Sequence, residues 1–350
     1  MNTPHPTKLV LETVDRLPEM QKSVVVKRFG LINGERRTLE SVGEEYGITR
    51  ERVRQIQEAA FETISASAGM ERINDLFALF HEHLKNHGDV RHEDRLLIND
   101  AAELFNVKHD PQFVATVYFI LTLGDSFHRA VQTPKYHAAW TVDKKSLQSA
   151  RSILDKTVGV FKKDRRSMSR ENLFNVLETI AKKHANNVSE KILESYLELS
   201  KEIVANVYGE YGLREWPEIM PRSMKERAYL ILKRMGKPLH FRDITKLINE
   251  HSLSMRPAYE ATVHNDLIKD DRFVLCGRGE YALREWGYDT GTVKELISKY
   301  LEKSGKPKSK DEVVKAVLLQ RNVKPNTIAL NLNDKKLFKK HTDGKYTLTR

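Results

Sequence analysis

An eight-residue string occurs twice in this chain. Residues 209–216 read Gly-Glu-Tyr-Gly-Leu-Arg-Glu-Trp and residues 279–286 read Gly-Glu-Tyr-Ala-Leu-Arg-Glu-Trp, a match at seven of eight positions. Repetition on this scale argues for duplicated structural units in series, each with its own small core. Weaker echoes at 135–140 (Lys-Tyr-His-Ala-Ala-Trp) and 344–348 (Gly-Lys-Tyr-Thr-Leu) place tyrosines at 136, 211, 281 and 346, a period of 65 to 75 residues. Each period carries helical segments, a short apolar strand, a turn and the tyrosine strand. In the best-defined copy the helices fall at 224–235, 241–250 and 256–269. Its strands fall at 272–276 and 280–286, and the turn Gly277-Arg278-Gly279 between them supplies hairpin glycines. Three helices followed by a β-hairpin is a winged-helix arrangement. The expected fold is therefore mainly α with small β-hairpin wings: an N-terminal helix-turn-helix domain at 1–68, then tandem winged-helix modules at 69–143, 144–220, 221–289 and 290–350. A composition with 31% charged and 40% hydrophobic residues suits several small cores better than one large one.

Residues 8–66 read as four short helices. Leu9, Thr13 and Leu17 share a face ahead of Pro18. Val24, Val25 and Phe29 continue a second helix that Gly30 ends. Thr38 can cap a third, in which Leu39, Val42 and Tyr46 lie on one side, and Gly47 closes it in the left-handed conformation. Thr49 can cap the fourth. Val53, Ile56 and Ala60 then face inward, and Arg50, Glu51, Arg54 and Gln55 face outward. Two helices joined by a short glycine turn make a helix-turn-helix. On its second helix Arg can pair with guanine, Glu can accept from cytosine and Gln can bond adenine, although charged helix faces are commonly just solvated.

The run from Leu17-Pro18-Glu19 through Lys27-Arg28-Phe29-Gly30-Leu31 to the unbroken stretch from Arg37 to Ile56 resembles region 4 of primary sigma factors. The resemblance implies that Arg50, Glu51 and Gln55 read bases of a promoter −35 element. It implies that Arg28, Thr38, Arg52 and Arg54 hold the DNA backbone, and that core RNA polymerase is a partner. It covers about 60 residues. The family's basic tail is replaced by Ala59, Ala60, Phe61, Glu62 and Thr63, and nothing in the chain resembles the sigma segment that melts the −10 element. The stretch 222–288, with Lys237-Pro238-Leu239-His240-Phe241-Arg242-Asp243-Ile244, Phe273-Val274 and Gly279-Glu280-Tyr281-Ala282-Leu283, resembles HARE-type helix-turn-helix domains and the N-terminal domain of the polymerase delta subunit. That implies a role linked to transcription.

Charge is distributed unevenly. Basic and acidic residues number 10 and 10 over residues 1–70, 21 and 22 over 71–220, and 28 and 16 over 221–350, so the net +11 lies in the last third. Residues 290–350 alone hold 15 basic and 6 acidic residues. Such a surface suits a polyanion, because Lys and Arg neutralise phosphates and release counterions. In this module a helix from about Pro325 would present Asn326, Thr327 and Asn331, with Lys335, Lys336, Lys339, Lys340 and Lys345 around the wing. The wing of the second module, with Glu210, Glu215 and Glu218, would repel phosphate. One cysteine, Cys276, rules out an intrachain disulfide and suits a reducing cytosol. His81, His83 and His87 lack a zinc spacing and read as surface histidines, so no metal or other cofactor is expected. The apolar run 113–123 is too short to span a bilayer. No P-loop, nucleophile elbow or metalloprotease motif is present, and no small-molecule substrate is evident.

These observations point to a cytoplasmic, nucleoid-associated transcription protein that is not an enzyme. It would bind −35-like double-stranded DNA through the helix-turn-helix, with the basic C-terminal module adding grip. One alternative is a polymerase adaptor whose modules bind protein. Another is the DNA-recognition subunit of a restriction or defence system. The regular Tyr and Trp residues, including Tyr211, Trp216, Tyr281 and Trp286, are expected to be hairpin core and not base-stacking platforms.

Overall fold

The computed structural model describes residues 5–67, 69–182, 188–253 and 256–349. The chain divides into two compact units, residues 1–204 with 211–213 and residues 205–210 with 214–350. The first unit begins with α1 (Pro6–Val14), α2 (Glu19–Phe29), α3 (Leu39–Tyr46) and α4 (Arg50–Ser65). It continues with α5 (Met70–Lys85), β1 (Val90–His92), a π-helical turn (Arg95–Asp100), α6 (Ala101–Phe105), α7 (Pro111–Leu123), β2 (His128–Ala130) and β3 (Ala139–Thr141). Then come α8 (Lys144–Asp164), α9 (Arg170–Ala181), α10 (Glu190–Leu197), β4 (Ile203–Ala205) and β5 (Tyr211–Leu213). In the second unit α11 (Met224–Met235), β6 (Leu239–His240), α12 (Phe241–Glu250), α13 (Glu260–Lys269), β7 (Phe273–Leu275) and β8 (Glu280–Leu283) form one module. The other is α14 (Val293–Ser304), α15 (Lys310–Leu318), α16 (Pro325–Asn331), β9 (Phe338–Lys340) and β10 (Tyr346–Leu348).

The same topology recurs four times behind the N-terminal helices. The first and third copies each have a three-stranded antiparallel sheet in which the last strand is central, ordered β1-β3-β2 and β6-β8-β7. In the second and fourth copies the first strand shrinks to a single antiparallel bridge, Met168 with Tyr211 and Lys308 with Tyr346. The repeated tyrosine thus marks the central strand, where burial on one face and pairing on both edges favour an aromatic residue. Tyr281 and Tyr346 are buried, and Trp286 packs against the same core as Tyr281. The first copy corrects the expected register. Its central strand is β3, with Trp140 opposite Arg91 and Arg129, whereas Tyr136 lies outside it and bridges Ser200.

One apolar core draws on both sides of the boundary expected at 68/69. Leu9, Val10, Val14, Val25 and Phe29 of the helix-turn-helix segment pack with Phe113, Val117, Phe119 and Ile120 of α7. Phe119 stands edge-on to Phe29 and Phe61, with ring centroids 5.1 and 5.9 Å apart. That burial explains why α7 is apolar on every side. At its N-terminus Gln112 donates to the Leu31 carbonyl, 2.8 Å away. Pro111 abuts Gly34, where φ is +79° and a Cβ would lie 2.3 Å from the proline ring, so only glycine fits this turn.

The second helix of each helix-turn-helix pair in the first unit's winged modules is thus committed to internal packing. For α7 the partner is the N-terminal segment. For α10 it is β1: Ser195 Oγ donates to the Val90 carbonyl at 2.7 Å and Tyr196 Oη to that of Gly88 at 3.1 Å. Gly88, at φ +75°, leaves no room for a Cβ beside Ile192 and Tyr196. In the second unit, residues 320–322 of the last module clasp the wing of the one before. Asn322 pairs with Cys276 and Glu280, Gln320 with Gly287 and Asp289, and the Arg321 guanidinium donates to the carbonyls of Leu275 and Gly291.

The histidines of α5 are not on the surface. His83 Nε2 lies 2.9 Å from Asp100 Oδ2, and buried His87 donates from Nδ1 to the His83 carbonyl at 2.7 Å. Asp100 ends the π-helical turn and also takes both Nε and Nη2 of Arg91, at 2.6 and 3.0 Å, while Arg91 reaches Glu198 of the next module. Helical spacing from an apolar stripe hid this, because His83 and His87 flank the buried Leu84 face. Among the described residues no helix is long and apolar enough to cross a membrane.

Candidate nucleic-acid interface

The outward face of α4 is built from local chemistry. Thr49 caps the helix by accepting from the Arg52 amide at 3.1 Å, as Thr38 caps α3 by accepting from Ser41 at 3.0 Å. Gly47, at φ +66°, turns the chain between them. Val53 and Ile56 pack with Val24 and Val42 beneath, which leaves Arg50, Glu51, Arg52, Arg54 and Gln55 exposed.

These five side chains are not equivalent. Arg54 is held by Glu51, 2.6 Å away, and by Glu58; those hydrogen bonds, Glu51 first, raise its pKa, and Arg54 in turn lowers that of Glu51. Arg52 Nη1 donates to Gln55 Oε1 at 3.2 Å. Arg50 makes no ion pair among the described residues.

Arg50 borders a cleft of about 580 Å³ that also involves Arg28, Arg36, Arg37, Thr38 and Tyr118. Arg28 comes from α2 and its Nη1 donates to the Arg37 carbonyl. Burial lowers the Arg28 pKa, with Arg36 adding to the effect and Tyr118 opposing it. Arg37 is paired with Glu45. Arg36 has its guanidinium carbon 4.0 Å from the centroid of the Tyr118 ring. Sequence reasoning anticipated Arg28, Thr38 and Arg50 and missed Arg36, Arg37 and Tyr118. The Arg36-Arg37 pair directly before a capping threonine was a visible signal. Tyr118 was not, since it joins the cleft from 82 positions further along.

In the second unit α16 begins at Pro325 as expected, and Asn326 and Thr327 are exposed. Asn331 turns its amide back to the Thr327 carbonyl at 2.7 Å. Lys335, Lys339 and Lys340 come together at a cleft of about 420 Å³ over Phe338 and Tyr346. Lys336 lies in the turn before β9, and Lys345 pairs with Asp343 at 3.3 Å.

Residues 14–66 match the family described as Sigma-70, region 4. Residues 222–286 match the HARE-HTH family, described as a restriction endonuclease HTH domain. Among curated proteins, the RNA polymerase sigma factor SigA of Bacillus sp is 41% identical over 64 residues, 18% of this chain and 17% of that protein. The probable DNA-directed RNA polymerase subunit delta of Halalkalibacterium halodurans is 33% identical over 102 residues, 27% of this chain and 60% of that protein. The chain therefore spans less than two thirds of either relative. Both resemblances read from the sequence agree with these matches, and the mainly helical architecture with small antiparallel hairpins agrees with the expected fold.

Proposed function

We propose that this chain is a transcription regulator that binds duplex DNA through α4, selects −35-like promoter sequence and works together with core RNA polymerase. The observation that carries the reading is Arg50. It stands in the first turn of a capped helix whose inner face is buried, it lacks a carboxylate partner, and it borders an arginine-lined cleft on a segment that matches Sigma-70 region 4. Arg50, Glu51 and Gln55 would read base edges, and Arg28, Thr38 and Arg52 would hold phosphates. Arg54, held between two glutamates, would brace the reading face. The polymerase partnership draws support from the names of the relatives, a sigma factor and a delta subunit. The lysines about β9 would add sequence-independent grip. A second reading, an adaptor that binds polymerase and little DNA, is favoured by the near-neutral charge of residues 1–220, with 31 basic and 32 acidic residues.

Selection of bound sequences from a pool of random duplexes tests the proposal. The full chain is expected to enrich one motif. Arg50→Ala is expected to cost about 1–3 kcal/mol at the base it reads and to relax preference at that position. Failure to enrich any motif, together with an unchanged Arg50→Ala profile, would remove the sequence-reading claim.

A further inference from the structure

The arginine-lined cleft is shared by two modules, and its charge is not balanced from within. Of the arginines around it, Arg37 has a carboxylate in Glu45. Arg28, Arg36 and Arg50 have none among the described residues, and the one acidic side chain lining the cleft is Glu40. Three guanidinium groups facing one carboxylate leave an excess of positive charge that an external anion can answer. Arg36 is exposed, and the contact that orients it is the Tyr118 ring. Tyr118 is itself fixed, edge-on to Trp140 at 5.6 Å and tilted against Phe29 at 6.2 Å, on a helix whose other faces are buried. A planar guanidinium stacked on a ring keeps all its N–H edges available while losing little side-chain freedom on binding.

We propose that this cleft grips a phosphate of the DNA backbone beside the bases met by α4, with Arg36 as a phosphate ligand and Tyr118, from the neighbouring winged-helix module, as its positioning residue. The first winged-helix module thus has a function in DNA binding although its own second helix is buried: α7 supplies one wall of the reading head. The proposal rests on the duplex-binding reading given above and extends it to residues outside the matched segment 14–66.

The test is the salt dependence of duplex binding by the full chain, compared with Arg36→Ala, Tyr118→Leu, Tyr118→Phe and the double variant Arg36→Ala/Tyr118→Leu. Each lost phosphate contact lowers the slope of log affinity against log salt by about 0.9, so the affinity change between 50 and 200 mM salt should shrink about 3.5-fold in Arg36→Ala. The loss should be equal on the selected and scrambled duplexes, since a backbone contact carries no sequence information. Tyr118→Phe retains the ring and should bind as the parent does. Tyr118→Leu should lose affinity in the parent and nothing more in the Arg36→Ala background. A parent chain that binds duplex while Arg36→Ala keeps the full salt slope would overturn this proposal and leave the reading of α4 standing. A Tyr118→Leu loss that adds fully to that of Arg36→Ala would overturn the positioning role. A parent chain with no duplex affinity would sink both.

Discussion

Replacing Phe119 by alanine is expected to destabilise the N-terminal unit by about 3–5 kcal/mol, and to do so in helices that lie far from it in sequence. Phe119 is fully buried and meets Phe29 and Phe61 edge-on, so it joins α7 to both α2 and α4. Truncation removes the ring from three walls of one core. Little collapse is open to those walls, because Val25, Leu31 and Ala60 are already fully buried around them. A loss of this size is a large part of what a small domain has. The variant should therefore show a lower urea midpoint and faster amide hydrogen exchange across 19–29 and 50–65, as well as in α7. Exchange that quickens in α7 alone, with α2 and α4 still protected, would mean that the helix-turn-helix folds without its neighbour.

Asp100→Asn should cost about 3 kcal/mol at neutral pH, because Arg91 would keep a buried charge with only Glu198 to answer it. The side chains of Arg91 and Asp100 are 11% and 8% exposed, which sets this pair apart from the surface pairs elsewhere. Burial by itself would raise the Asp100 pKa. Hydrogen bonds from His83 and Arg91 outweigh it and hold the carboxyl well below the usual carboxylate range. With the folded value depressed, the unfolded chain takes up a proton first as the pH falls. The stabilisation is thus complete above about pH 5 and declines as the pH drops through about 4 and below. Urea midpoints at pH 7.5, 5 and 3.5 should show a constant gap between parent and variant at the first two and a narrower one at the third. A gap that widens in acid would contradict the assignment. The network also ties β1 to α10 through Glu198, so the loss should loosen both modules.

The parts of the fold legible in the sequence were those set by neighbours a few residues apart. Thr38, Gly47 and Thr49 mark the ends of α3 and α4 because caps and left-handed turns act within one helical turn, and Pro325 begins α16 for the same reason. The repeated tyrosine announced a recurring hairpin. It could not announce that the first strand of the second and fourth modules would be one residue long, since a single bridge leaves no alternation to read. Tyr136 misled because its echo of the repeat lies beside β3 and not within it. The apolar run of α7 was recognisable as buried, yet what it would be buried against depends on contacts a hundred positions away. The same distance separated Tyr118 from Arg36. It concealed His83 and Asp100 too, where an unusual π-helical turn brings the carboxylate to the histidine. Of the site, the residues on α4 were legible and the platform beneath them was not.

The central claim is that the chain itself holds duplex DNA through charged side chains around α4. Its most direct test is the affinity of the full chain for a duplex bearing its selected motif, followed from 50 to 200 mM salt. Four phosphate contacts would lower affinity about a hundred-fold over that range, and a scrambled duplex would bind more weakly at every salt concentration. A flat salt response, equal affinity for the two duplexes and stable co-purification of core polymerase would contradict the claim and favour the adaptor.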